Sequence, residues 1–406
     1  MPLERPLLPL PGLRRIVADS GSVYFINALV GFLFAASGPV AILLAVGARG
    51  GLSESALASW LFGAFFFNGL ISIAFCLLYR QPLVFFWTIP GAVLVGPALT
   101  HLSFAEVVGA YLLTGALMLV LGLSGWVRRV MDSVPLPIVM GMVAGVFLRF
   151  GLNLVYAVRE DFWIAAPMIA AFLVLSAAPR LARGIPPLIG ALAVGAAAVA
   201  LLGRFAPTAG PMFGFAQPSL YIPVFSLRAA IELVLPLAIT VLVVQNGQGI
   251  AVLKTAGHPA PANAIAAVCG AGSIVTALVG TVSTCLTGPV NAILSSSGER
   301  HRHYTAGLWV GMFALAFGLL SPLFTRLLLA TPGSFIAALA GLAMLRVLQT
   351  AFGVAFRERY TLGALVTFLV TVADVTILSI GAPFWGLIFG FAVSWLVERD
   401  DFRRSG

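Results

Sequence analysis

The chain has 406 residues, of which 60% are hydrophobic and only 9% are charged. Soluble globular proteins carry about 25% charged residues, so this composition excludes an ordinary soluble domain and predicts a membrane protein. The net charge of +9 would suit nucleic-acid binding, but the placement of the basic residues gives it another explanation.

Apolar runs long enough to cross a hydrocarbon layer of about 30 Å recur along the whole chain. In chain order the sequence predicts fourteen spans, at 23–46, 55–79, 83–100, 104–123, 134–152, 162–178, 185–202, 229–252, 260–279, 281–296, 304–328, 332–350, 361–379 and 381–397. The third and tenth spans are short and interrupted by Pro and Gly. We expect no cleavable signal peptide, because residues 1–20 lack a continuous apolar run.

Fourteen spans place both termini on one side of the membrane. If that side is the cytoplasm, most basic residues lie inside, among them Arg5, Arg14, Arg15, Arg80, Arg128, Arg129, Arg180, Arg183, Lys254, Arg300, Arg302, Arg346, Arg357, Arg359, Arg399, Arg403 and Arg404. The outer set is Arg49, Arg159, Arg204, Arg228 and Arg326, and Arg149 lies near a span end. This bias predicts a multi-pass protein of the bacterial inner membrane with cytoplasmic termini.

The two halves of the chain show weak similarities in the same order. SGPVAILLAVG (37–47) is similar to NGQGIAVLKTAG (246–257), and IPGAVLVG (89–96) to LTGPVNAI (286–293). Seven predicted spans precede an external linker at 203–228 and seven follow it. The pattern predicts an all-α protein with a 7+7 inverted repeat, formed by residues 1–202 and 229–406.

A polar stretch, VVQNGQG (243–249), interrupts the eighth span. Transporters with inverted repeats bind substrate near the bilayer midplane, beside broken helices. Polar groups and irregular backbone at that depth are tolerated around a cavity. We therefore interpret Gln245 as cavity-lining, whereas Gly247 and Gly249 fit a cavity and helix packing equally well.

The motif QNGQGIAVLKTAG (245–257) resembles the Gln-Asn-x-x-Gly-Ile-Ala-Val-Leu signature in the eighth span of the benzoate:proton symporter (BenE) family. FFWTIPGAVLV (85–95) is similar to the family's Trp-Ser-Thr-Pro-Gly-Ala stretch, and LVTFLVTVADVTILSIGAPFWGLIFG (365–390) to its last two spans. The similarity covers most of the chain. The chain departs from the family at Ile89, where the pattern has Thr, and in the tenth span, GTVSTCLTGPVN (280–291), which resembles the sulfate permease group.

This family is related to uracil permease and the sulfate permease group, and the resemblance implies their architecture. A core domain would contain spans 1–4 and 8–11, about 23–123 and 229–328. A gate domain would contain spans 5–7 and 12–14, about 134–202 and 332–397. The resemblance further implies that helices 3 and 10 are broken, that substrate binds between them, that the core moves against the gate as an elevator, and that the protein is a homodimer.

The predicted site is neutral. Nucleobase permeases that resemble this fold have carboxylates in spans 8 and 10, whereas this chain has Gln245 and hydroxyl groups there. Two half-helix N-termini, each with about +0.5 of partial charge, favour an anion, and we predict a small aromatic carboxylate such as benzoate. The predicted substrate-binding residues are Trp87, Thr88, Pro90, Gly91, Gln245, Asn246, Thr284, Thr287 and Gly288. Phe85 and Phe86 fit an apolar wall or ordinary packing.

Proton coupling needs a titratable group, and Asp374 is the acidic residue that the sequence places deepest in a span. A carboxylate at membrane depth is costly and is typical of functional sites. Structural pairing with Arg149 and a position in an outer vestibule are the alternatives. Glu54, Glu106 and His101 are expected in external loops or at span ends.

The sequence contains no enzyme signature and no phosphate-binding glycine loop. Cys76, Cys269 and Cys285 are not spaced as metal ligands, and we expect neither a metal nor a cofactor. The predicted function is therefore secondary transport of a benzoate-like anion together with a proton. A nucleobase or inorganic-anion transporter of the same fold and an anion channel are the alternatives, and saturable, proton-driven flux would indicate a carrier.

Overall fold

A computed structural model describes residues 3–127, 135–178, 186–206, 213–296, 298–375, 377 and 382–403. These residues are mainly helical, as the sequence predicts. Among them, six helical runs are long and apolar enough to cross a membrane, and a seventh is added if the helices Arg300–Leu319 and Ser321–Leu329, which meet at 69°, are one span. Six further apolar helices have 10–17 residues.

The first half of the chain contains helices and one short strand. They are α1 (Leu13–Asp19), α2 (Ser22–Ala36), α3 (Gly38–Arg49), α4 (Glu54–Phe62), α5 (Asn68–Tyr79), β1 (Phe85–Trp87), α6 (Ile89–Ala98), α7 (Phe104–Ser124), α8 (Leu136–Glu160), α9 (Phe162–Ala177) and α10 (Pro187–Leu201). A π-helical turn, Gly63–Phe67, joins α4 to α5 in one continuous run.

The second half of the chain also contains helices and one short strand. Its elements are α11 (Leu227–Ala229), α12 (Leu235–Ile239), α13 (Gly247–Thr255), α14 (Ala262–Ala277), β2 (Thr284–Leu286), α15 (Gly288–Leu294), α16 (His303–Leu319), α17 (Ser321–Leu329), α18 (Gly333–Ala355), α19 (Thr361–Ala373), α20 (Ala382–Val397) and α21 (Arg399–Arg403). The π-helical segments Ala230–Val234 and Thr240–Asn246 join α11, α12 and α13.

The two strands cross near the middle of the protein. β1 and β2 pair antiparallel, with Phe86 opposite Cys285 at the centre. A serine of the preceding helix also binds the backbone of each strand. The Ser72 hydroxyl accepts a hydrogen bond from Phe85 N (2.8 Å), and the Ser273 hydroxyl accepts one from Thr284 N (2.9 Å). Buried backbone N–H groups need such partners, and three-residue strands provide few of their own.

Small residues bring long helices into close contact. A Cβ atom on Gly270 of α14 would lie 2.3 Å from Leu119 N of α7, and one on Gly141 of α8 would lie 2.4 Å from Ala364 O of α19. Such close approach of backbones is typical of helix packing in membrane proteins.

Contacts between loops define two faces. On the terminal face, the Glu4 carboxylate accepts from Asn263 N, and the Asp401 carboxylate accepts from Tyr360 N. On the linker face, residues near the 213–226 segment meet other loops, as where Tyr221 N donates to Leu278 O. Helix α18 runs from the linker face, where it begins after Ala330, to the terminal face.

The helices pack in two groups. The first group contains the pairs α7–α14, α5–α16, α2–α16 and α2–α15. The second contains α8–α18, α8–α19, α19–α20 and α9–α10. Between the groups, α3 packs on α18 and α6 packs on α8. This boundary is where the cavities described below are found.

The structure corrects four expectations. The predicted span 304–328 is broken at Leu320, because Pro322 follows and disfavours a continuous helix. Helix α8 continues to Glu160, well beyond the predicted end at 152. Helix α19 ends at Ala373, so the predicted span 361–379 is not one helix, and residues 376 and 378–381 lie outside the described part. The expectation of an all-α protein misses β1 and β2.

Candidate substrate site

A cavity of about 740 Å³ lies at the boundary between the two packing groups. On one side it is lined by β1, β2, the first residues of α6, and the segment that leads into α13. On the other side it is lined by α8 and α18. Its aromatic lining residues are Phe34, Phe86, Trp87, Phe147 and Phe172. A ring-shaped apolar ligand would therefore meet aromatic groups from both sides.

The polar stretch at 243–249 divides its side chains between the cavity and the protein interior. Gln245 and Gln248 line the cavity, and neither amide has a hydrogen-bond partner among the described residues. Asn246 points inward, and its Oδ1 accepts from Leu286 N of β2 at 2.8 Å. Gly249 permits close packing, since a Cβ there would lie 2.6 Å from Leu286 Cδ2. One stretch thus supplies the site and holds the strand beside it.

Trp87 and Pro90 line the cavity as predicted, whereas Thr88 and Gly91 do not. The Thr88 hydroxyl accepts from Gly91 N at 3.1 Å and so caps the start of α6. The indole Nε1 of Trp87 is buried and has no hydrogen-bond partner in the described part of the chain. Trp87 therefore keeps an unused donor next to the cavity.

Thr287 occupies the corresponding N-cap position of α15 and behaves differently. Its side chain lines the cavity and does not cap the helix. The hydroxyl of Thr284, which was also predicted to bind substrate, donates a hydrogen bond to Asn68 Oδ1 at 2.8 Å. Gly288 lies under Gln248, where an added Cβ would be 2.7 Å from Gln248 Cγ.

Direct substrate contact was predicted for five residues that the structure places behind the cavity wall. They are Thr88, Gly91, Asn246, Thr284 and Gly288, and all are buried. The physical reason is that the broken helices and short strands leave backbone groups unpaired at their ends. Nearby polar side chains satisfy those groups, because an unpaired buried polar group is costly.

The charge of the cavity is positive. Arg346 and Thr350 of α18 line its end towards the terminal face, and Arg346 is exposed there. Its guanidinium donates to Gln349 Oε1 at 3.2 Å. Among the described lining residues there is no Asp or Glu. Nor does the described chain contain a group of three His, Cys, Asp or Glu placed to hold a metal ion.

Asp374 lies directly after a helix and not inside one. It follows the last residue of α19 in a left-handed conformation (φ 54°) and forms an ion pair with Arg149 of α8. Its side chain is 33% exposed. Both residues line a second cavity, of about 360 Å³, at the same boundary between the packing groups. The ion pair with Arg149 was one of the alternatives for this residue. The outer-vestibule position and the role in proton coupling stay predictions.

A second carboxylate, that of Glu232, is more buried than that of Asp374. Glu232 lies in the π-helical segment Ala230–Val234, and its side chain is only 5% exposed. Its Oε2 is 3.0 Å from Nε2 of His101. Glu232 lies near the start of the predicted eighth span and was assigned no role, although a carboxylate inside an apolar run is itself a signal.

Other lining residues were missed as well. Gln248 is one helical turn after Gln245, a spacing that places both on one helix face. Met140, Val143 and Phe147 recur along α8 with helical periodicity and line the facing wall. Arg346 was assigned to the cytoplasmic side and not to the site. Its contribution depends on how α18 packs, which the sequence does not show.

The fold and the cavity together define a polytopic membrane transporter. The model of the benzoate membrane transport protein family, BenE, matches residues 21–396, and the chain belongs to this family. The chain is 30% identical over 372 residues to the inner membrane protein YdcO of Escherichia coli, covering 90% of this chain and 92% of that protein. It is 27% identical to a benzoate membrane transport protein of Acinetobacter baylyi over 374 residues, covering 90% and 93%.

Solved structures share the fold at low sequence identity. The transmembrane domain of the cyanobacterial bicarbonate transporter BicA aligns with a TM-score of 0.61 at 16% identity and covers 91% of this chain and 97% of its own. SLC26A9 aligns with a TM-score of 0.63 at 16% identity and covers 92% and 65%. The family and these neighbours are membrane transporters and not enzymes.

Proposed function

We propose that this transporter carries a small aromatic carboxylate, benzoate or a close relative, through the 740 Å³ cavity. The observation that carries the proposal is the composition of the cavity wall: aromatic groups on both sides, neutral donors at Gln245, Gln248 and Thr287, and one cationic side chain at the mouth. Binding sites for small molecules are typically about 300–1,000 Å³, mainly apolar, with few polar groups that fix orientation. The name of the Acinetobacter relative supports the same substrate class.

The ring would pack between Phe86 and Trp87 on one side and Phe147 on the other. The carboxylate would accept hydrogen bonds from the two glutamine amides and the Thr287 hydroxyl. Charge-assisted hydrogen bonds of this kind are stronger than neutral ones. Arg346 would attract the anion at the mouth without holding it.

The antiparallel pairing of β1 with β2 supports an inverted repeat of two seven-span halves. Ser72 precedes β1 and binds its first residue, Phe85, while Ser273 precedes β2 and binds its first residue, Thr284. Each strand then leads into a short helix that starts with a Pro near its N-terminus. We propose fourteen spans on this basis, with the helix breaks of spans 3 and 10 at β1 and β2.

We assign the two packing groups to the proposed core and gate domains. The cavity lies between them, so a sliding movement of the core along α8 and α18 would carry a bound anion across the membrane. The cavity mouth at Arg346 is on the terminal face, which the distribution of basic residues assigns to the cytoplasm. We propose an elevator-type carrier with cytoplasmic termini, coupled to protons and assembled as a homodimer.

An inorganic-anion carrier or channel is the second candidate. Its support is the hydroxyl-rich segment before α15 and the absence of a carboxylate among the described lining residues. A nucleobase substrate has less support, since no side chain in the described lining offers a carboxylate to its N–H groups.

The test is uptake of labelled benzoate into proteoliposomes, with protein-free vesicles measuring the passive flux of benzoic acid. The proposal expects saturable uptake that salicylate inhibits and that sulfate, bicarbonate and uracil do not. Uptake that fails to saturate would favour a channel. Inhibition by sulfate or bicarbonate but not salicylate would favour the inorganic-anion carrier.

A further inference from the structure

His101 and Glu232 connect the two elements that form the substrate site. His101 follows α6, whose first residues, Ile89 and Pro90, line the 740 Å³ cavity. Glu232 lies near the start of the helical run Leu227–Thr255, which lines the cavity further along with Gln245 and Gln248. The imidazole Nε2 is 3.0 Å from the carboxylate Oε2, and the two side chains are 21% and 5% exposed. The pair therefore joins these elements at the ends away from the substrate.

Hydrogen bonds around His101 bear on where the protons of this pair lie. The Thr100 hydroxyl donates to Pro97 O at 2.7 Å, and its oxygen lies 3.3 Å from His101 Nδ1, a contact that the tautomer with a proton on Nδ1 satisfies. With Nδ1 protonated, the short contact between Nε2 and Oε2 holds one further proton. Without that proton, a lone pair of the imidazole would face a carboxylate oxygen at hydrogen-bond distance, which is repulsive.

The pair can thus exist in two charge states. With the shared proton the imidazole and carboxylate together are neutral, and without it they carry a charge of −1. A buried group that gains or loses one charge in an apolar setting changes the local energy strongly. A proton bound here would offset the single negative charge of a carboxylate substrate on the same domain.

The second cavity links this pair to the boundary between core and gate. Its 360 Å³ are lined by Pro97, Thr100 and His101 from the core side and by Arg149 and Asp374 from the gate side. Titratable or charged side chains on the elements that pack around the pair are Arg49 of α3, Glu106 and Tyr111 of α7, Arg149, Tyr156, Arg159 and Glu160 of α8, and Arg228 of α11. Arg149 therefore lies across the second cavity from His101, and sliding of the core would change how these two side chains face each other.

We propose that His101 and Glu232 form the proton-binding site that couples this transporter to the proton gradient, an inference that rests on the proposed function. One proton binds to the Nε2–Oε2 pair when the carboxylate anion is bound between Trp87 and Gln245, and both leave on the other side of the membrane. The loaded core, with a neutral pair and a −1 substrate, then has the same net charge as the empty core with a −1 pair. The core thus carries the same charge in both directions, and each cycle transports one proton with one carboxylate and no net charge.

Asp374 does not lie on the elements of the core that carry the substrate site. It is paired with Arg149 within the gate-side group, and neither residue belongs to an element that carries the amide donors of the site. Asp374→Asn is therefore the matched control for Glu232→Gln, since both replace a paired carboxylate by a neutral amide of the same shape.

The experiment compares benzoate accumulation driven by a pH gradient with benzoate exchange at equal pH, in proteoliposomes and with the passive flux subtracted. Passive benzoic acid reaches the same about tenfold accumulation with time under a gradient of one pH unit, so accumulation is measured as the initial protein-dependent rate of uptake. We expect the wild type and Asp374→Asn to show it. Glu232→Gln should lose accumulation and keep exchange. His101→Gln retains a donor to Glu232 and should shift the pH at which accumulation is half-maximal.

The other possible results would overturn either the proton site or the proposed function. Accumulation by Glu232→Gln equal to that of the wild type would overturn the proton site, as would wild-type exchange without any response to the pH gradient. If the wild type neither binds nor exchanges an aromatic carboxylate, the proposed function itself fails. Should Glu232→Gln not fold, judged by loss of benzoate-induced thermal stabilisation, an unshifted pH profile of His101→Gln would overturn the site.

Discussion

Thr88 and Thr287 have the same position at the start of two short helices but different partners. The Thr88 hydroxyl accepts from Gly91 N, while the Thr287 side chain faces the cavity and makes no capping bond. The chain thus uses one hydroxyl for structure and leaves the other for a ligand. The same division separates Asn246, which binds β2, from Gln245 and Gln248, which line the cavity.

This difference can be tested with a pair of substitutions. Thr287→Val should weaken benzoate binding roughly tenfold, the effect of losing one hydrogen bond of about 1.4 kcal/mol, and leave the melting temperature of the empty protein unchanged. Thr88→Val should lower that melting temperature, since loss of an N-cap costs about 1 kcal/mol. Binding isotherms and thermal melts of the same preparations measure both. A stability loss in Thr287→Val without a change in affinity would contradict the assignment.

Individual residues of the site were predictable to different degrees. The amide at 245 stands out because it interrupts an apolar run, and Trp87 and Pro90 because they lie at a helix break. Whether Thr88 or Thr287 faces the cavity depends on which hydroxyl a neighbouring N–H occupies, and both follow a similar sequence. His101 and Glu232 are 131 residues apart, and only the fold brings them together.

At the scale of elements, β1 and β2 position the site although each has only three residues. Their backbone groups are satisfied by side chains from neighbouring helices, such as Ser72 and Ser273. We expect Ser273→Ala to leave Thr284 N without its partner and to destabilise the protein by about 1–3 kcal/mol. Ser296→Ala is the control, because that exposed hydroxyl donates only within its own turn, to Ile293 O. Equal melting temperatures for the two variants would show that the strands do not depend on this support.

The loop between α13 and α14 carries a buried histidine that makes stability depend on pH. His258 Nε2 is 3.1 Å from His303 Nδ1. Burial, together with the smaller effects of the nearby His303 and Arg300, lowers the pKa of His258 from 6.5 to about 4. Between these two pH values the unfolded chain binds more protons at this position than the folded protein does. Stability is therefore fully present above about pH 6.5 and is lost as the pH falls towards 4.

We expect the melting temperature of the wild type to fall across that pH range and the fall to be smaller in His258→Gln, which has no proton to bind. Thermal melts at several pH values in detergent measure this difference. Parallel curves for the two proteins would indicate that other groups cause the acid sensitivity.

The positions of most helices can be predicted from the lengths of the apolar runs in the sequence. The places where those helices are interrupted cannot be predicted in this way. The sequence indicates weak points at Pro and Gly in spans 3 and 10, but a strand of three residues has no periodicity to detect. The break at Leu320 depends on Pro322, which a continuous apolar run conceals. The left-handed turn that removes Asp374 from α19 has no signal in the sequence that we recognise.

For the whole molecule, two faces and two packing groups explain how one cavity can serve transport. Exposed positions on each face allow the orientation to be tested. A cysteine at Leu220 should react with an impermeant maleimide added outside whole cells, and one at Leu7 should react only after lysis; both side chains are more than three-quarters exposed, at 80% and 82%. The three native cysteines are buried and should contribute little background. The reverse labelling pattern would invert the proposed orientation.

The central claim is that the 740 Å³ cavity recognises an aromatic ring and a carboxylate together. Thermal stabilisation of the purified protein tests it most directly, with benzoate compared with benzamide, which keeps the ring and lacks the charge, and with uracil and sulfate. A ligand at about 100 times its dissociation constant stabilises the folded state by about 2.7 kcal/mol. We predict that benzoate stabilises the wild type, that benzamide does not, and that Arg346→Gln weakens the benzoate effect most at low salt. Stabilisation by uracil or sulfate without any by benzoate would contradict the claim.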